Sequence, residues 1–169
     1  SDILKEKKIT IGFDPSLFTK KSISAFFGKN RCKYKPINEN LIDKIWKRKI
    51  KKNINKFFLL PETSVSEKYQ SKINKISSYL KKKNSDFLFV TASENNAWLM
   101  NVRGHDTEYA PIPYCYILID KNKNIKFFCD LRKISSSFRR HFRKIEFLDI
   151  KTCASFLSNI EKKKFIIDK

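Results

Sequence analysis

Between residues 63 and 130 the hydrophobic period changes twice, and each change restricts the fold. In "TSVSEKYQSKINKISSYLKKKN" (63–84), Val65, Tyr69, Ile73, Ile76 and Leu80 recur at spacings of three and four. That spacing predicts an amphipathic helix of about 20 residues, opened by a Ser/Thr cap ahead of Glu67 in a capping-box arrangement. "DFLFVTA" (86–92) is then continuously apolar, the pattern of a strand covered on both faces. "PIPYCYILI" (111–119) and "IKFFCD" (125–130) flank "DKNKN", which reads as a hairpin turn.

The rest of the chain follows the same alternation. "SENNAWLMNV" predicts a short helix, and "RKISSSFRRHF" (132–142) and "TCASFLSNIEKK" (152–163) two more. "KIEFLD" (144–149) and "KFIID" (164–168) read as strands. Upstream, "KKITIGFDP" (7–15) reads as a strand closing at Gly12, with Asp14 capping a helix that starts at Pro15 and runs to about Phe27. "CKYKPI" is a short strand, and "ENLIDKIWKRKI" (39–50) places Leu41, Ile42, Ile45 and Trp46 on one helical face. "KRKIKKNINK" is the best linker candidate. Strands alternating with helices, plus one hairpin, predict an α/β fold with a mixed β-sheet flanked by helices. The expected division is residues 1–55, then 56–169.

Composition excludes several classes. The 169 residues are 41% apolar and 14% aromatic, enough for a sizeable core. No run of 18 or more apolar residues is present, so no membrane partner is expected. The chain opens without Met or a charged-then-apolar leader, and it reads as a piece of something larger. The net charge of +20 suggests a polyanion partner, yet 30 of the 37 basic residues are Lys and only seven are Arg. Lys, Ile, Asn and Phe make 79 of 169 residues, the skew that A/T-rich codons produce. Specific nucleic-acid readers lean on Arg, so the charge is read as solvated surface and no specific nucleic acid is expected. An independent basic nucleic-acid or polyanion-binding module is the competing reading. Cys32, Cys115, Cys129 and Cys153 form no C-x-x-C pair, which predicts free thiols in a reducing, cytoplasmic setting.

One segment departs from this composition. "NNAWLMNVRGHDTEYAPIPYCYILID" (95–120) holds one of three glycines, one of two histidines and two of five prolines. Arg103 precedes Gly104, which permits positive φ or close backbone approach. His105, Asp106 and Glu108 could serve as a general acid-base group, a partial metal site or an ion-pair network. The plainer reading is a loop braced by an Arg103–Asp106 pair. His105 and His141 stand in no zinc motif, and the chain has no nucleophile elbow or phosphate loop.

"AWLMNVRGHDTEYAPIPYCYILID" resembles the "AWL-N-RG-D…NP…Y" signature in the second domain of the three-domain Xaa-Pro aminopeptidases (aminopeptidase P). "ITIGFDPSLFT" and "ENLIDKIWKRK" resemble the "VG-DP" and "NLVD-IW" segments late in that family's first domain. "DFLFVTASENNAWLMN" and "FIIDK" fit its second, creatinase N-terminal-like domain. His105 stands where the family has a small residue, and Ala110 where it has Asn. The resemblance implies a peptidase that removes an N-terminal residue preceding proline, on peptides with proline at the second position. It implies a pita-bread catalytic domain with two divalent metals, commonly manganese, whose Asp, His and Glu ligands lie C-terminal to this chain. The chain itself would carry no catalytic or metal residue. Arg103, Gly104, His105, Asp106, Glu108 and Tyr109 would stand at the cleft rim or an interface, and the whole protein would dimerise.

Overall fold

The computed structural model describes residues 9–28, 32–37, 39–46 and 54–168. The chain divides into two compact units, Ser1–Lys51 and Lys52–Lys169.

In the first unit, β1 (Thr10–Phe13) runs parallel to β2 (Lys33–Pro36), and α1 (Lys20–Phe27) connects them. The helix starts five residues later than Pro15. Thr19 accepts from the backbone N–H of Ser22, and the Ser22 hydroxyl oxygen accepts from that of Thr19, so two orphan donors are satisfied reciprocally. Asp14 is occupied elsewhere: it accepts from the Ser16 amide at 2.8 Å and from Asn40 Nδ2 at 2.9 Å. Asn40 in turn caps α2 (Leu41–Ile45). The apolar residues expected on one face of that helix, Leu41, Ile42, Ile45 and Trp46, are all exposed. Most of the linker candidate, residues 47–53, lies outside the described residues.

The second unit is built on a five-stranded sheet. Its members are β4 (Phe87–Val90), β6 (Cys115–Asp120), β7 (Ile125–Cys129), β8 (Ile145–Asp149) and β9 (Phe165–Ile167), in the order β8-β7-β6-β4-β9. β6 pairs antiparallel with β4 and β7, while β7–β8 and β4–β9 are parallel, so the sheet is mixed. The hairpin turn is held by Asp120, whose Oδ1 accepts from the amides of Asn122 and Asn124, with Lys123 at φ 73°.

Alternation along the strands feeds two cores. Val90, Cys115, Ile117, Ile119, Ile125, Phe127 and Phe147 point to one face. They meet α3 (Tyr69–Lys82), α4 (Ser93–Met100) and α5 (Ser136–His141), together with the small ribbon formed by β3 (Phe58–Leu59) and β5 (Val102–Arg103). Phe127, Phe138 and Phe147 pack edge-on or tilted with centroids 5.5 to 6.4 Å apart, each pair worth about 0.5–1.5 kcal/mol beyond the area it buries. On the other face Leu118 and Phe128 meet Cys153 and Phe156 of α6 (Cys153–Ser158).

Three helices are shorter than their periodicity implies, each for a local reason. α3 starts at Tyr69 without a side-chain cap, because Glu62–Ser64 forms a separate 3-10 turn. Glu67, just outside the helix, accepts from the Ser71 hydroxyl and pairs with Lys75 at 2.8 Å. α5 starts at Ser136, capped by the Ser135 hydroxyl, after a 3-10 turn over Leu131–Lys133. α6 stops at Ser158; Ile160 then packs into the second core and Lys162 turns the chain at φ 53°.

Candidate functional site

The compositionally unusual loop hangs from the C-terminal end of α4. That helix is held by charges from elsewhere in the chain at both ends. At its N-terminus the Asp168 carboxylate accepts from the amides of Thr91 (2.8 Å) and Ala92 (3.0 Å), from the Thr91 hydroxyl (2.8 Å) and from Asn95 Nδ2 (2.9 Å). Partial burial pushes its pKa up, but the four donors outweigh that and hold it below the usual 3.8. At the C-terminus, Arg103 Nη1 donates to Ala97 O and Val102 O, both at 2.9 Å. Lys72 Nζ donates to Trp98 O and to Asn101 Oδ1 (2.7 Å) and lies 4.1 Å from the Trp98 ring centroid. Acid at the amino end and two cations at the carboxyl end complement the helix dipole. Burial lowers the Lys72 pKa; Glu67 nearby raises it and Arg103 lowers it further. Asn101 closes α4 in the left-handed region at φ 56°.

Gly104 follows, and φ there is not positive. Its requirement is space: a Cβ would stand 2.9 Å from Pro113 Cα and 3.1 Å from the Phe57 ring. The loop therefore folds back directly on its own return strand and on Phe57. Gly104 N donates to Pro111 O at 3.2 Å and Asp106 N to Ile112 O at 3.4 Å, closing its neck.

Asp106 fastens the loop, with a partner other than the expected one. Lys133 Nζ bonds its Oδ1, and the Tyr114 amide donates to Oδ2 at 2.7 Å. Both side chains of the Lys133–Asp106 pair are buried, and burial lowers the Lys133 pKa. Lys133 Nζ also lies 5.6 Å from the Phe57 ring centroid. Arg103 and Asp106 thus serve different anchors, the helix end and Lys133. His105 stacks on Phe58, centroids 5.2 Å apart and planes 29° apart. Glu108 and Tyr109 are exposed at the tip, Tyr109 at 92%.

Among the described residues, no three His, Cys, Asp or Glu side chains come together in a way that could hold a metal ion. No helix among them is long and apolar enough to cross a membrane. The sequence reading missed Lys133, Lys72 and Asp168. The two lysines carry no local signal among 30. Asp168 had one, a carboxylate closing an otherwise apolar strand.

The family profile of the creatinase/prolidase N-terminal domain matches residues 47–169. The chain belongs to that family. Proteins of similar sequence include the Xaa-Pro aminopeptidase ApepP of Drosophila melanogaster, 30% identical over 135 residues, which are 78% of this chain and 22% of that protein. A probable Xaa-Pro aminopeptidase P of Leptosphaeria maculans is 26% identical over 94% of this chain and 27% of its own length. The chain thus spans about a quarter of the length of these relatives. Among solved structures, the X-prolyl aminopeptidase of Caenorhabditis elegans, described as a cytosolic enzyme with a di-nuclear active site, aligns with a TM-score of 0.79 and 26% identity. That alignment covers 91% of this chain and 26% of the other. The mixed sheet flanked by helices is the fold shared with this neighbour.

Proposed function

We propose that this chain is the noncatalytic N-terminal region of a metal-dependent Xaa-Pro aminopeptidase. In this reading residues 1–55 are the end of a first N-terminal domain with its linker, and residues 56–169 are the second domain. The observation that carries it is the likeness to the nematode X-prolyl aminopeptidase, which runs over nine-tenths of this chain at a TM-score of 0.79. The catalytic domain, with two divalent metals of which manganese is the leading candidate, would be a separate part of the whole protein, and the whole protein would dimerise in the cytoplasm.

The loop from Arg103 to Tyr109 then stands at the rim of the catalytic cleft. Its base is rigid, held by Lys133 against Asp106 and by Arg103 against α4, while its tip offers Glu108 and Tyr109 to solvent. Such a construction presents a contact to an incoming peptide without ordering the loop on binding.

The test uses the full-length protein with divalent metal and a peptide carrying proline at the second position. Cleavage ahead of that proline, lost when the second residue is alanine, is expected. Tyr109→Ala should raise KM several-fold with an unchanged melting temperature, because a side chain this exposed supports no core. Absence of X-Pro cleavage overturns the aminopeptidase reading; cleavage with an unaltered KM in Tyr109→Ala overturns only the rim position.

A further inference from the structure

Arginine is scarce in this chain, yet four of its seven, Arg132, Arg139, Arg140 and Arg143, fall within 132–143. Arg132 is committed to Asp130 at 2.6 Å. The other three line a groove of about 580 Å³ along α5 and the turn into β8, with Ser136 at one side and Ile134 and Ile145 beneath. All three arginines are exposed, and no carboxylate lines the groove among the described residues. Among the described residues, neither Arg140 nor Arg143 forms an ion pair with an acid. Arg139 is held in place, its guanidinium 5.2 Å from the Phe147 ring centroid.

Charge alone does not call for Arg where Lys is the default cation. What Arg adds is a planar fork that donates two parallel hydrogen bonds to a carboxylate, with weaker hydration and less ordering cost. We propose that this groove docks an acidic polypeptide segment, its carboxylates paired with Arg139, Arg140 and Arg143 and an apolar side chain resting on the half-buried Ile134. A single-stranded nucleic acid fits less well. Its bases need aromatic faces to stack on, and the groove's only ring, Phe142, is 1% exposed. The groove lies outside the 103–109 loop, so the proposal stands whether or not the aminopeptidase reading does.

The test titrates the chain with a fluorescein-labelled peptide in which pairs of Glu are separated by single Leu residues. Arg140→Lys/Arg143→Lys preserves charge and removes both forks; it should weaken binding roughly tenfold. Lys81→Gln/Lys82→Gln removes two exposed charges on α3 and should change little. Replacing Glu by Gln in the peptide should abolish binding. Thermal melts confirm that both variants fold, which substitutions at exposed positions permit. The proposal fails if the peptide does not bind, if the Arg→Lys variant binds like the parent, or if Lys81→Gln/Lys82→Gln weakens binding as much. It also fails if oligothymidylate of matched charge, or inorganic phosphate at equal concentration, displaces the peptide as readily as unlabelled peptide does.

Discussion

Lys133 and Asp106, 27 positions apart, form a buried ion pair that fixes the neck of an otherwise exposed loop. Taking two charges out of water is costly, and this pair offsets it by adding the Tyr114 amide on the carboxylate and the Phe57 ring beneath the ammonium.

Removing one member should therefore cost more than the pair contributes. Lys133→Met leaves a buried carboxylate with one amide donor, for a loss on the order of 3–5 kcal/mol. Urea denaturation measures it, and Lys133→Met/Asp106→Leu should regain much of the deficit. A single variant as stable as the parent would show that Asp106 is solvated.

Gly104→Ala tests the close approach of the loop to its return strand. The added methyl meets Pro113 Cα at 2.9 Å and the Phe57 ring at 3.1 Å, and the first of these is backbone that cannot rotate away. Overpacking of this kind costs about 1–3 kcal/mol. Because φ is not positive there, the cost comes from crowding and not from backbone strain.

Asp168 makes stability depend on acid pH. Its folded-state pKa lies below the usual 3.8, so its contribution is complete above that value and is lost as pH falls through the depressed one. Asp168→Asn should lower stability at neutral pH and flatten the acid limb of the stability curve. Asp168→Ala should cost about 1–2 kcal/mol, the range of a lost helix cap. An acid limb unaltered by Asp168→Asn would mean that other carboxylates carry it.

The thiols should be slow to react in the native state. Burial raises the Cys115 thiol well above 9.0 and the Cys129 thiol to about 12, where Asp130 and Asp149 add to the effect. Burial also raises Cys153. Iodoacetamide at pH 8 should leave all three unmodified until denaturant is added, since the thiolate is the reacting species. Rapid labelling of Cys129 would contradict its placement between the two carboxylates and the core.

What could be read beforehand follows a physical division. Strand and helix identity lies in neighbouring residues: "CYILID" and "IKFFC" alternate between two apolar faces and pair as expected. Helix starts depend on which of several competing side chains takes the first amides, and at α1 Thr19 with Ser22 prevails over Asp14 with Pro15. The loop's anchors depend on contacts across the fold. Arg103 and Asp106 lie three apart and look like partners, but the Ala97 carbonyl of α4 takes one and Lys133 the other.

Lysine is so abundant in this chain that a single lysine ordinarily carries no information. Lys72 and Lys133 are the exceptions, the two described lysines withdrawn from solvent, at 4% and 6% exposure. An amine-reactive label that decorates the surface within minutes must wait, at these two sites, for the protein to open. They are built-in clocks of different events: Lys72 times the release of the α4 end, and Lys133 times the release of the loop. Their acylation rates, followed by peptide mass, would separate fraying of the loop from unfolding of the sheet without introducing a single substitution.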